Sequence, residues 1–279
     1  MKENLPVEHH AFSLIRLIAE DGLYRVFLKP PGVFSSSKIA LDRSIATWIE
    51  RNLSDQACVG NDRDCGLAHR LDEETSGVLV SARSDESWVH LRSLFSTDRV
   101  LKWYVALVEG RFPAPITCSR AIASRYRHSA KVVALPDAAA GGTSSAQLFH
   151  SVQSALSHFF PLSTFEDSQT SLVAVLIKTG RRHQIRAHAA SLGHPLAGDT
   201  LYGSTARPRL IKDRAFLLHS LGISFTGIDS IQRSWCSTAS LPDEVVQATR
   251  SGWSAIAHDE AAWLQPLLNS TAESRTDES

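Results

Sequence analysis

The stretch LVAVLIKTGRRHQIRAHAASLG at 172–193 changes periodicity partway through. Leu172 to Ile177 is a continuous apolar run of strand length, closed by Thr179 and Gly180. From Arg182 to Leu192 the period becomes helical, with Ile185, Ala189 and Leu192 on one face and Gly193 where the helix must stop. A buried strand thus feeds, through a glycine, into a basic helix.

Further strand-like runs lie at Tyr24 to Leu28, Val78 to Ala82, Leu101 to Val108 and near Phe216 to Phe225. Helical spacing appears in Ser44 to Leu53, where Ile45, Trp48, Ile49 and Leu53 share a face, and in Asp85 to Phe95, with Trp88, Leu91, Leu94 and Phe95. These elements mix without a strict strand-helix-strand rhythm. The expected class is therefore α+β, with a largely antiparallel central sheet and flanking helices. At 279 residues, 43% of them hydrophobic, the chain can bury a sizeable core as one domain or one domain in two lobes. Lys29-Pro30-Pro31-Gly32 predicts a rigid turn after a strand, the Ala-, Gly- and Ser-rich loop from Pro136 to Ser145 a mobile excursion, and polar Asn269 to Ser279 a disordered tail.

Composition excludes several classes. Apolar runs such as Leu172 to Ile177 fall far short of a membrane span, and Arg16 interrupts the apolar stretch from Ala11 to Ala19 without a cleavage site after it. A soluble, cytoplasmic protein is expected. Cys58, Cys65, Cys118 and Cys236 form no Cys-x-x-Cys pair, so reduced thiols are expected rather than a zinc knuckle or disulfides. Twenty-nine basic residues balance twenty-nine acidic ones, but unevenly along the chain. Lys178 to Arg214 holds eight basic side chains against two acidic; Asp243 to the end holds seven acidic against two basic. That asymmetry hints at a polyanionic partner, although a solvated face is the commoner explanation of any one charge cluster.

Reactive side chains concentrate in three places. HRLDEETSG at 69–77 is a polar turn feeding the strand that begins near Val78. In LKWYVALVEG at 101–110, Lys102 and Tyr104 share one strand face. In TGRRHQIRAH at 179–188, Arg182 and Arg186 are one helical turn apart and can reach the same anion. Each has a plainer reading. Asp72 can cap a turn or a helix, Tyr104 beside Trp103 can be core packing, and Arg186 can be half of an ion pair. His183 and His188 are five apart, poor spacing for one metal, and no metal site is expected.

Taken together and in order, the three segments resemble the RluA family of pseudouridine synthases. HRLDEETSG is similar to its catalytic segment, LKWYVALVEG to its Lys-x-Tyr strand, and TGRRHQIRAHAASLGHPLAGDTLYG at 179–203 to its Thr-Gly-Arg-x-His-Gln-Ile-Arg motif and the Gly-Asp-x-x-Tyr-Gly that follows. Lys29 to Gly32 and Leu218-His219 with Phe225 are weaker echoes, so the likeness runs from about Tyr24 to Phe225.

The resemblance implies a pseudouridine-synthase-like fold, two lobes around a catalytic cleft, and a monomer that isomerises specific uridines in tRNA or rRNA without a cofactor. It implies that Asp72 acts as nucleophile or base, that Arg186 pairs with Asp72 and keeps it ionised, and that Tyr104 packs on the target base. Arg70 is implied to fill the space of a flipped nucleotide, and Arg181, Arg182, His183, Lys102 and Lys29 to contact RNA. The corresponding division is an N-terminal extension (1–22), a catalytic domain (23–228), a C-terminal extension packed on it (229–268) and a tail (269–279). Many relatives carry a small RNA-binding domain ahead of the catalytic one. Only 23 residues precede the first expected strand here, so target selection is expected to rest on the catalytic domain.

Two other readings compete. A noncatalytic RNA-binding module of the same fold would be marked by loss of Asp72, Tyr104 or Arg186, all of which are present. A serine acyl-transfer enzyme is suggested by Ser35-Ser36-Ser37-Lys38 and Lys178-Thr179-Gly180, but its third element, Ser-x-Asn, is missing.

Overall fold

The computed structural model describes residues 11–36, 43–61, 64–127, 129–136, 149–211 and 214–256, with 261, 262 and 264. The expected tail, the loop after Pro136 as far as Ser145, and Ser37-Lys38 of the Ser-x-x-Lys match lie outside the described residues.

In chain order the first half comprises β1 (Arg16–Glu20), β2 (Tyr24–Lys29), α1 (Ile45–Asn52), β3 (Ser76–Ala82), α2 (Asp85–Ser96) and β4 (Leu101–Glu109). Short strands follow, β5 (Ile116–Cys118), β6 (Ile122–Ser124), β7 (Val133–Ala134) and β8 (His150–Gln153). Then come β9 (Ser157–Phe165), β10 (Thr170–Ile177), α3 (Gln184–Ser191), β11 (Leu218–Thr226), β12 (Gln232–Cys236) and α4 (Asp243–Trp253). The chain forms two compact units. One holds residues 1–100, 219–241 and 257–279, the other 101–218 and 242–256.

In the first unit, β1, β2 and β3 pair antiparallel, β3 runs parallel to the start of β11, and β12 returns antiparallel along β11. Alternate residues Tyr24, Val26, Val78, Val80 and Ala82 present one apolar face, against which α2 lays Leu91 and Leu94. Each such large side chain removed from water contributes about 1.5–3 kcal/mol. Ser84 starts α2 with a capping box shared with Ser87, and Asp85 and Glu86 in the first turn suit the positive end of the helix dipole. Gly77, of the Thr-Ser-Gly sequence, is obligatory: its φ is +115°, and a Cβ there would lie 2.3 Å from the Ser220 carbonyl oxygen of β11.

In the second unit, β4, β10, β9 and β5 form an antiparallel order, and β7, β6 and β8 a small separate sheet. All eight residues of β10 are buried, which is why Leu172 to Ile177 reads as continuously apolar rather than alternating. On β4, Trp103 packs edge-on to Trp253 of α4 with ring centroids 5.0 Å apart, and against Phe160 of β9. The α+β class with mostly antiparallel pairing holds.

One expected helix is corrected. The basic helix starts at Gln184 rather than Arg182, because His183 adopts a left-handed backbone (φ +51°) that cannot continue a right-handed helix. Arg182 and Arg186 are therefore not successive turns of one helix. Their guanidinium groups have different partners.

Candidate active site

In the first unit, Asp72 sits in the turn that leads into β3, half-buried, with the Thr75 N–H donating to its backbone carbonyl at 3.0 Å. The chain on both sides of Asp72 is fixed. Before it, the Leu71 N–H donates to Ser35 Oγ at 2.9 Å, and the same hydroxyl donates to the Leu71 carbonyl at 3.0 Å. After it, the Glu73 carbonyl accepts from the Gly32 N–H at 3.0 Å and from Lys29 Nζ at 2.8 Å. Ser76, at the start of β3, donates to His219 Nδ1, whose Nε2–H donates to the Ser237 carbonyl. His69 accepts from the Val80 N–H through Nε2 and stacks on Phe95, 4.4 Å between centroids. Arg70 is exposed, between His69 and buried Leu71.

Lys29 is not where an RNA contact was expected. It is 0% exposed, and its three ammonium hydrogens match three carbonyl acceptors, those of Pro30, Val33 and Glu73. Burial pulls its pKa down to about 7, against the opposing pull of Glu74, Asp72 and Glu73. The Lys-Pro-Pro-Gly turn is thus tied to the Asp72 turn through the Lys29 side chain and the Gly32 N–H.

In the second unit, Lys102 and Tyr104 occupy one face of β4, opposite Ile177 and Val175 of β10. Both are buried. Lys102 Nζ donates to the Lys178 carbonyl at 2.6 Å, at the point where β10 gives way to the turn before α3, so it too has a structural place rather than a surface one. Gln184 ties that turn down. Its Oε1 accepts from Thr179 Oγ1 and the Arg181 N–H, and its Nε2 donates to the Leu156 carbonyl and Ser157 Oγ.

Arg186 on α3 is 8% exposed and donates twice to Asp199, from Nε at 2.6 Å and from Nη2 at 2.9 Å. Its guanidinium carbon lies 5.0 Å from the Tyr202 ring centroid and 4.6 Å from that of Phe216. A bidentate carboxylate and two aromatic rings leave the guanidinium one orientation. Gly198 lets the backbone of Ala215, next to Phe216, pass close by: its φ is +93°, and a Cβ would meet the Ala215 carbonyl oxygen at 2.2 Å. The Gly-Asp-x-x-Tyr-Gly sequence at 198–203 is thus the seat of Arg186, a role for Asp199 and Tyr202 that the sequence reading had not assigned.

The remaining basic residues differ in setting. Arg181 Nε donates to the Ser154 carbonyl, while exposed Arg182 donates to the Ser129 carbonyl. His183 shares a hydrogen bond with the Tyr202 hydroxyl at 3.2 Å. His188 is fully buried, accepting from Ser157 through Nδ1 and donating to the Arg120 carbonyl through Nε2; burial pulls its pKa below the usual value. Among the described residues no cluster of His, Cys, Asp and Glu could hold a metal. At the end of β4, burial pushes the Glu109 carboxyl up, but bonds from Ser204, Ala206 and Thr205 outweigh it and hold its pKa low. That carboxylate pins the loop following Tyr202.

Residues 24–191 match the family described as RNA pseudouridylate synthase, more than half of the chain. The chain belongs to the RNA pseudouridylate synthase family. The RluA-type likeness read from the motifs holds. An uncharacterized RNA pseudouridine synthase of Chloroflexus aurantiacus is 36% identical over 57% of this chain and 45% of its own length. The ribosomal large subunit pseudouridine synthase C of Buchnera aphidicola is 28% identical over 79% of this chain and 65% of its own. The chain thus spans between about a third and two thirds of the first curated relatives it matches. Among solved structures, human RNA pseudouridylate synthase domain containing 1 superposes with a TM-score of 0.63 over 84% of this chain and 87% of that one, at 22% identity, a likeness of fold.

Proposed function

We propose that this chain converts uridine to pseudouridine within structured RNA, with Asp72 as the catalytic carboxylate. The observation that carries the reading is the immobilised turn around Asp72. Ser35 holds the residue before it and Lys29 the residue after it, in a chain of this family. A carboxylate whose main chain is fixed on both sides meets its substrate with little reorganisation left to perform, and positioning is a large part of catalysis.

The reaction is an isomerisation. The bond from uracil N1 to the sugar C1′ breaks, the base turns, C5 bonds to C1′, and the proton lost from C5 is balanced by one gained at N1. An ionised Asp72 serves by attacking the sugar or base or by removing a sugar proton. Arg186, whose orientation Asp199, Tyr202 and Phe216 fix, is assigned to keep that carboxylate ionised, and Tyr104 to pack on the target base and take the C5 proton. The nucleotide must leave its stack to reach them, at a cost of a few kcal/mol. Arg70, exposed beside the Asp72 turn, is assigned to the vacated space.

Relatives named ribosomal large subunit pseudouridine synthases C and D favour ribosomal RNA as the substrate over transfer RNA. Mapping pseudouridine across all cellular RNA, with the gene intact, deleted, or carrying Asp72→Asn, tests the reading. The expected result is one or a few uridines modified only with the intact gene. An unchanged map in both altered strains would overturn it.

A further inference from the structure

The charge-dense stretch of the sequence at 178–214 has a counterpart that composition alone did not single out. From Gly110 to Pro136 there are five basic side chains, Arg111, Arg120, Arg125, Arg127 and Lys131, and no acidic one. Arg125, Arg127 and Lys131 lie exposed in the connection from β6 to β7, with Tyr126 between the two arginines. Tyr126 is 74% exposed, the most exposed large hydrophobic side chain among the described residues. One exposed aromatic ring is ordinary. An exposed ring between like charges, with no acid in the segment to offset them, is a surface suited to an anionic partner with flat apolar faces.

The connection is built rather than loose. The Tyr126 N–H donates to Ser129 Oγ at 3.0 Å, the Ser129 N–H returns to the Tyr126 carbonyl, and the Ser129 carbonyl accepts from Arg182. Arg182 is thereby brought to this turn as a further cation. The turn is also coupled to the seat of Arg186. Lys131 Nζ lies 4.8 Å from the Tyr202 ring centroid, and the Val132 N–H donates to the Tyr202 hydroxyl. Tyr202 is the ring on which the Arg186 guanidinium rests.

We propose that the described residues between β6 and β7, 125–127 with 129–131, are a clasp for an unpaired nucleotide of the RNA: Tyr126 stacks on a base, and Arg125, Arg127 and Arg182 bind the flanking phosphates. It rests on the RNA reading above and deepens it, because a stacking ring needs a base face that a duplex does not offer. The partner is accordingly a loop, bulge or single-stranded end. Contact with Lys131 and Tyr202 links occupancy of the clasp to the residues that orient Arg186.

Fluorescence anisotropy with a labelled RNA hairpin bearing a single-stranded loop, and with a blunt duplex of the same stem, tests the clasp. Tyr126→Ala is expected to weaken hairpin binding about tenfold, within the range of one base stacked on one ring, and to leave duplex binding unchanged. Tyr126→Phe keeps the ring and should bind as the wild type does. Arg125→Ala with Arg127→Ala should lower the slope of log affinity against log salt by about 1.4, two phosphate contacts at about 0.7 each for a single strand. Wild-type hairpin affinity in Tyr126→Ala, or equal losses in Tyr126→Phe and Tyr126→Ala, would overturn the clasp alone. If the wild-type protein bound neither RNA, the RNA reading itself would fall and the clasp with it.

Discussion

Lys29 Nζ and the Glu73 carbonyl meet at 2.8 Å across 44 positions of sequence, so a fully buried ammonium holds the peptide next to Asp72. Lys29→Met keeps the length of the side chain and leaves three carbonyls without their donor. A loss of about 2–4 kcal/mol is expected, since each buried acceptor left unsatisfied costs about 1–3 kcal/mol and some will find water. The loss also depends on pH. Lys29 titrates at about 7 in the folded chain and ordinarily at 10.5. Between those values the unfolded chain holds the extra proton, so the contribution of Lys29 to stability rises with pH. Urea unfolding of both proteins across pH 7 to 10 should show the gap widening as pH rises; a constant gap would mean that Lys29 keeps its ordinary pKa.

Ser35→Ala removes both hydrogen bonds to Leu71 while leaving Asp72 in place. The Leu71 N–H and carbonyl lose one partner each, at about 1–2 kcal/mol of stability. A positioning role predicts that kcat falls about tenfold while KM stays near its wild-type value, because a misplaced carboxylate affects the transition state more than binding. An unchanged kcat in a destabilised protein would make Ser35 merely structural.

Asp72→Asn should abolish pseudouridine formation and leave the thermal midpoint within a few degrees of the wild type, since the turn is held by main-chain atoms that the substitution keeps. Turnover at the normal rate in the Asn variant would remove Asp72 from the mechanism.

Asp199→Ala takes the bidentate carboxylate away from the buried Arg186 guanidinium, at about 3–5 kcal/mol. Replacing the pair together, as Arg186→Met with Asp199→Leu, should recover much of that stability and none of the activity. A double variant as unstable as Asp199→Ala would show that the pair does not act as a unit. Calorimetry with a pseudouridine assay separates the two effects.

The strands Tyr24–Lys29, Ser76–Ala82 and Leu101–Glu109 and the helices Ile45–Asn52 and Asp85–Ser96 were legible within about two residues, because their hydrophobic periods are set locally. β9 was not. Pro161 counts against a strand, and here it is tolerated opposite Val173 where the register shifts, beyond the end of the pairing with β5. The basic helix was placed two residues early because nothing local in the sequence signals the left-handed turn at His183.

For the candidate site, sequence by itself determined the family and singled out Asp72, Tyr104 and Arg186 as the residues proposed to carry the chemistry, since a motif records side chains in fixed local order. Only the tertiary structure decided who holds them. Lys29 and Lys102 changed from expected RNA contacts to buried props, Ser35 became a brace of the Asp72 turn, and Asp199 with Tyr202 became the seat of Arg186. Such roles depend on which carbonyl or carboxylate stands within about 3 Å of a side chain after folding. That distance is set by the packing of segments remote in sequence, and local order carries no record of it.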